Sequence, residues 1–429
     1  MKKILFLIAV CFLILTSCTS CKKDPEPTPD IMARDTLYTL MNQWYYWYDK
    51  MPSIDKEDYT DPYELLEAMR YKELDRQSSY VIDYEIYTAQ MQGTSVTHGI
   101  RLALDESGNA RIAMIYKNSP LYDAGVRRGW IIKTINGQNI ADILVRNDMA
   151  KLAEVLGPAT EGVTNVFLFS PPGQADISIS STKRAFTVNT VLLFDTLHLS
   201  KGSVAGHLVL TSFGGTTSNE LKTAFEFFKA NNVTDFILDL RYSIGGLISV
   251  GKELASYIAG SSATGSVYAK LLYNDKNQNL NKTLPFVATD YPLAVSKLVV
   301  ITSRSTAGAS EVVINGLSPN TNIVSVGDTT QGAPEIMNVW PCLKKYCFLL
   351  VTAMTVNSLD QDFHEGFPPD KREIDDISRA FDDRQEKCLK EAIQYLETGS
   401  FSGKSENTFY RSIQCTENPY MISYAFSLK

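Results

Sequence analysis

"DFILDLRYSIGG", Asp235 to Gly246, joins a strand to a helix through a double-glycine turn. Asp235 to Leu240 reads as a short apolar strand, Gly245 and Gly246 permit a tight turn, and Leu247 to Ile258 reads as a helix. The same alternation continues on either side. Val204 to Leu210, Leu298 to Thr302 and Ile323 to Val326 read as strands, while Asn219 to Ala230 and Ala309 to Leu317 read as helices. Such alternation predicts an α/β layered core from about residue 184 onward.

Ligands of open α/β sheets sit beyond the strand ends, and two strand ends here carry suggestive sequences: "DLRYSIGG" (Asp239 to Gly246) and "TSRSTAGASE" (Thr302 to Glu311). Glycines let a backbone approach a ligand closely. N–H groups at Gly245 and Gly246 are therefore candidates for half of an oxyanion hole, with the other half at the start of the helix beginning at Ala309. The alternative is a Gly-Gly loop that only joins strand to helix. Ser310 is a candidate nucleophile, with a helix-capping role as its alternative.

The chain has 429 residues, 44% of them hydrophobic, enough for two or three domains and a sizeable core. A formal net charge of -7 offers no basic footprint for nucleic acid. Met1-Lys2-Lys3 followed by the apolar Ile4 to Leu15 reads as an export signal, too short for an ordinary membrane span. Leu15-Thr16-Ser17-Cys18 resembles the bacterial lipobox, which implies cleavage before Cys18 and acylation of its thiol. The expected location is the cell envelope, with the membrane as a partner through the lipid. The polar, Pro-rich Thr19 to Asp30 suits a tether.

Seven cysteines are present. In an exported chain Cys342 with Cys347, and Cys388 with Cys415, are candidate disulfides, although sequence does not fix connectivity. Four scattered histidines lack ligand spacing to cysteine, so no metal and no cofactor is expected. Thr36 to Met51 places Leu37, Leu40, Met41, Trp44, Tyr45 and Trp47 at helical spacing before Pro52, and a second helix fits Pro62 to Tyr71. The aromatic stripe is read as core rather than as a sugar-stacking surface.

From about Thr97 the pattern turns to short strands and turns, including "SPLYDAGVRRGWIIKTINGQNI" (Ser119 to Ile140). This run resembles a PDZ domain of the bacterial protease-associated kind. The resemblance implies that Thr97 to Leu104, with Gly99 and Ile100, takes an extended peptide by strand addition and holds its terminal carboxylate. A packing module that binds nothing is the alternative.

Taken together, these blocks resemble the C-terminal processing (tail-specific) serine peptidases, which use a Ser-Lys dyad. The blocks are "LDLRYSIGG", "STAGASEVVINGL" (Ser305 to Leu317), "SVGDTTQGA" (Ser325 to Ala333) and "HEGFPPD" (His364 to Asp370), with the PDZ-like run ahead of them. The tryptophan-rich N-terminal part is similar to lipoprotein members from Bacteroidetes. The organisation expected is a signal at 1–17, a tether at 18–30, a helical N-terminal domain at 31–96, a PDZ-like β domain at 97–183, and a peptidase-like α/β core with a C-terminal extension at 184–429, mixed α+β overall.

At the dyad the sequence departs from the family. The position of the family serine, three before Glu311, is Gly308; the position of the family lysine, directly after Gly332, is Ala333. A glutamine that often orients the lysine falls at Met337. A serine hydroxyl needs a base within hydrogen-bond reach, and a lysine serves only when desolvation keeps it neutral. The expectation is a pseudopeptidase that binds polypeptide C-termini or unfolded segments. The alternatives are a working serine peptidase with a displaced nucleophile such as Ser310, and a non-catalytic scaffold lipoprotein. Oligomeric state is not legible.

Overall fold

The Phe236–Leu238 stretch is apolar because its strand lies in the middle of a parallel sheet covered on both faces. The computed structural model describes residues 27–75 and 78–403, and the backbone of 414–416 and 425–426. The expected signal, most of the tether and Cys18 lie outside these residues, as does the side chain of Cys415. Among the described residues, no helix is long and apolar enough to cross a membrane.

The described chain opens with α1 (Pro29–Trp44), α2 (Pro62–Met69), β1 (Tyr80–Asp83), α3 (Tyr84–Met91) and β2 (Thr94–Thr97). A β-rich module follows: β3 (Ile100–Leu104), β4 (Ala110–Ile115), α4 (Pro120–Asp123), β5 (Ile131–Ile135), β6 (Gln138–Asn139), α5 (Ile140–Val145), α6 (Met149–Leu156), β7 (Thr164–Ser170) and β8 (Ile177–Thr182). Next come β9 (Arg184–Thr187), β10 (Val191–His198), β11 (Val204–Leu210), α7 (Thr217–Ala230), β12 (Asp235–Asp239), α8 (Ile248–Ala259), β13 (Val267–Tyr273), β14 (Lys282–Pro285), β15 (Lys297–Thr302), α9 (Ala309–Leu317) and β16 (Ile323–Gly327). The remainder is β17 (Glu335–Cys342), β18 (Tyr346–Val356), β19 (Lys371–Arg372), α10 (Lys387–Thr398), β20 (Gln414–Thr416) and β21 (Ala425–Phe426).

The mixed α/β class expected from the alternation is the one observed. The central sheet runs β10-β11-β12-β15-β16-β19, parallel except for the β10–β11 pair. Helices α7, α8 and α9 bury Phe225, Phe228, Leu254, Val312 and Val313 against it. Helix α10 covers the opposite face with Leu389, Ala392 and Leu396. Strands β2 and β9 pair from Thr94↔Thr187 to Thr97↔Arg184, so the chain enters and leaves the β-rich module through neighbouring strands.

The N-terminal helices share a core with β17 and β18 rather than forming a separate body. Helix α1 starts seven residues before the expected Thr36, inside the expected tether. Thr28 Oγ1 accepts from Ile31 N at 3.3 Å and Pro29 occupies the first turn. The helix also ends early, because Tyr45 turns extended and Tyr46 N donates to Val351 O at 2.8 Å. The aromatic stripe is core, as read: Leu37, Met41, Tyr45 and Trp47 are buried.

The expected disulfides are corrected. Cys342, Cys347 and Cys388 are free and buried. Cys342 lies opposite Tyr346 and Cys347 opposite Pro341, so the two cysteines are one step out of register and point to opposite faces of the hairpin. The Cys388 thiol instead meets the Ile374 carbonyl at 3.5 Å, so the expected pairing with Cys415 is not formed.

Beyond β12, the Arg241 guanidinium is fully buried. Its Nε donates to both oxygens of Asp239 at 3.0 Å, and its two terminal nitrogens donate to the Glu386 carboxylate at 2.9 and 3.0 Å. Nη1 also reaches Asp375 at 2.7 Å. Asp375 in turn accepts from Arg128 of the β-rich module at 2.6 Å and from the Tyr242 hydroxyl. Burial alone would raise the Asp239 carboxyl, but the Arg241 charge outweighs it and holds the group down at about 2. Removing one member of a buried ion cluster leaves the others unpaired. Arg241→Met should therefore cost about 3–5 kcal/mol, read as a lower midpoint in urea unfolding; an unchanged midpoint would show that the cluster is not a net support.

Candidate functional site

The loops after β12, β15 and β16 leave adjacent parallel strands at their carboxyl ends, so the three sequence blocks converge at one end of the sheet. Direct bonds tie the first two together. Ala307 N donates to Ser243 O at 3.1 Å, Thr306 Oγ1 to Leu240 O at 2.8 Å, and the Ser303 hydroxyl to Arg241 O. Gln331 N donates to Thr306 O at 2.9 Å, which fastens the third. The "HEGFPPD" turn closes against that loop so tightly that a Cβ on Gly332, φ +80°, would lie 2.2 Å from His364 O. His364 itself is exposed.

Gly245 (φ +89°) lies against the start of α9: a Cβ there would meet Ala307 O at 2.9 Å and Ala309 N at 3.2 Å. Its carbonyl accepts from Phe213 N at 2.8 Å, and Leu247 N returns to Phe213 O at 2.8 Å. The N–H groups of Gly245, Gly246 and Ala309 have no backbone acceptor among the described residues. They are the donors that the sequence nominates for a developing oxyanion.

Gly308 is the N-cap of α9 with φ 55° and ψ −119°. That is a sharp strand-to-helix turn of the kind that presents a nucleophilic serine in other hydrolases. Here the position has no side chain. Ala333 is buried, and its N–H and that of Gly308 both donate to the same oxygen, Glu311 Oε2, at 2.9 and 3.1 Å. Thr330 Oγ1 and Gly332 N donate to the other oxygen, Oε1, at 2.5 and 2.7 Å. The structure thus brings positions 308 and 333 together around one carboxyl group. Sequence reasoning used Glu311 only as a counting mark. The signal that finds it is a glutamate at the third position of a helix, where a side chain reaches back to the N-cap amide.

Ser310 is buried, and its hydroxyl donates to Ser243 Oγ at 2.8 Å. It neither caps α9 nor meets a base among the hydrogen-bond partners described. Met337, at the position of the family's orienting glutamine, is buried in the core beneath β17. In the β-rich module Gly99 has φ +84°, and a Cβ would lie 2.1 Å from that of Ser119. Its N–H donates to Thr97 Oγ1 at 3.1 Å. Strand β3, which begins at Ile100, takes β20 on its outer edge. The edge nominated for peptide capture is therefore already paired. Among the described residues no cluster suited to a metal ion is present.

Amide donors from a Gly-Gly turn and a helix start, at the carboxyl ends of a parallel sheet, are a hydrolase-type α/β arrangement. Residues 205–372 match the model of peptidase family S41, and residues 33–80 match its N-terminal domain. The chain belongs to peptidase family S41, the C-terminal processing peptidases. It is 25% identical over 308 residues to Carboxyl-terminal-processing peptidase 1, chloroplastic, of Arabidopsis thaliana, covering 70% of this chain and 59% of that protein. With the Carboxy-terminal processing protease CtpA of Bacillus subtilis it shares 25% identity, over 58% of this chain and 51% of the relative. The matches thus span only about half to three fifths of these relatives. Among solved structures, an S41 protease chain from Bacteroides fragilis superposes with a TM-score of 0.70 at 24% identity, covering 87% of this chain and 98% of the other. The photosystem II D1 C-terminal processing protease superposes at 0.50 and 18% identity, covering 80% and 92%.

Burial is the largest influence on Glu311 and raises its carboxyl to about 7, against the four donors that favour the anion. Thr330 is the one partner able to accept a proton in return. A folded value above the ordinary 4.5 means that the fold binds this proton more tightly than the unfolded chain. The stability it contributes is full below pH 4.5 and is lost as pH rises toward 7. The stability gap between wild type and Glu311→Gln should therefore narrow by about 1–3 kcal/mol over that interval. Denaturation of both chains across pH 4–8 checks this; a pH-independent gap would show that Glu311 does not titrate there.

Proposed function

We propose that the chain is a non-hydrolysing member of the C-terminal processing peptidases: an exported cell-envelope protein, lipid-anchored through Cys18, that binds polypeptide C-termini or unfolded segments. The observation that carries this reading is the pair Gly308 and Ala333, two positions fixed on one carboxyl group and lacking both hydroxyl and amine. Acyl transfer needs a nucleophile and a base in contact; without them only amide donors and binding remain, and turnover falls by about four to six orders of magnitude. Ser310 is a poor substitute, since its hydroxyl is spent on Ser243 inside the protein. The PDZ-like reading of 97–183 adds a second strand-accepting edge, at β3.

The surroundings favour a cleft that has lost its reacting groups rather than its shape. The torsions at 308 remain those of a nucleophile turn, and a lysine at 333 would be desolvated, as a neutral base must be. Fluorophosphonate labelling followed by mass spectrometry tests this. Wild type should stay unlabelled, and Gly308→Ser/Ala333→Lys should react at residue 308. Labelling of wild type at Ser310 or elsewhere would refute the reading. Gly308→Ser alone should remain inert for want of a base and should lose about 1–3 kcal/mol of stability, because a side chain at φ 55° is strained.

A further inference from the structure

Two edges of this protein are placed to accept an extended chain, and the protein's own sequence pairs with both. The outer edge of β3 takes β20 antiparallel, with Gln414↔Ala103, Cys415↔Leu102 and Thr416↔Arg101 in register. The edge of β17 away from β18 takes β21 parallel, with Ile336↔Ala425 and Met337↔Phe426. Strand β17 begins at Glu335, two residues after Ala333, so the second pairing lies directly beside the cleft.

From these pairings we propose that β20 and β21 are an intramolecular ligand: they occupy the module edge and the cleft edge, and an external polypeptide binds by displacing them. This rests on the polypeptide-binding function proposed above and names its competitor. Recognition through strand addition uses main-chain hydrogen bonds and tolerates many sequences. The surrounding sequence suits such a role, since Met421 to Leu428, "MISYAFSL", is uncharged and rich in strand-forming residues.

The pairings are short, three residues for β20 and two for β21. Each hydrogen bond of such a pairing adds only about 0.5–1.5 kcal/mol net, which puts these strands at the easily opened end of the fold. Tethering, rather than intrinsic affinity, keeps the sites filled. An external chain then binds with an affinity reduced by the fraction of molecules whose edges are free.

The test compares the full wild-type chain with a full-length variant carrying Cys415→Pro, Thr416→Pro, Ala425→Pro and Phe426→Pro, which removes the ladder N–H groups at either parity. Amide hydrogen exchange is followed in 100–104 and 335–338, and anisotropy reads binding of a fluorescent peptide with the sequence of residues 410–429. The variant should exchange faster in both segments and bind the peptide about tenfold or more tightly. Unchanged exchange overturns the proposal, and so does equal or weaker peptide binding by a variant whose edges have opened. If neither chain binds the peptide, the polypeptide-binding function fails, and the exchange result alone decides whether β20 and β21 reside on the two edges.

Discussion

The buried Arg241 guanidinium joins three parts of the chain that are distant in sequence. One guanidinium satisfies a carboxylate at the end of β12, a second at the N-cap of α10 and a third in the segment after β19. Glu386 meanwhile caps α10 by accepting from Leu389 N at 2.9 Å. Through Asp375 the same cluster holds Arg128, and with it the β-rich module. A charge taken this far from water persists only where every partner is in place. The cluster thus specifies how central sheet, C-terminal helix and module meet, and it does so one turn of chain away from the Gly245-Gly246 loop.

The site is assembled by a second buried carboxyl. Glu311 belongs to α9, yet its acceptors serve the loop after β16 as much as the start of its own helix. A carboxyl that gathers donors from 308, 330, 332 and 333 fixes the distance between two loops far apart in sequence. That scaffold does not require side chains at 308 and 333. Loss of the reacting groups can therefore leave the cleft standing, and glycine at 308 relieves strain that a serine would store at positive φ.

Much of this was legible in the sequence where the signal is local. The strand at 204–210 and the helix at 309–317 fall at their expected bounds, because apolar runs bounded by turn residues report their own limits. The convergence of the sequence blocks was legible too, since loops at the same ends of adjacent parallel strands must meet. Distant contacts were not. Nothing near Arg241 announces Asp375 or Glu386, more than a hundred residues on. The early end of α1 is likewise a tertiary effect, since Trp44 to Tyr48 continues the helical stripe while the backbone departs to meet β18. The cysteines at 342 and 347 frame a hairpin tip that invites a bridge, and only the register, one step off, turns them apart.

Hydrolysis and strand addition place different demands on this fold. Hydrolysis needs a hydroxyl and a base at one point; strand addition needs only main-chain groups along an open edge. Glycine at 308 and alanine at 333 lack the groups the first requires, whereas the second depends only on the backbone of β3 and β17. An open edge is also a hazard, because it templates pairing with any exposed strand. Covering both edges with short strands of the same chain answers that hazard while keeping the edges recoverable, since a pairing of two or three residues yields to a longer partner. The same physics that makes the fold safe alone would set the threshold an external polypeptide has to exceed.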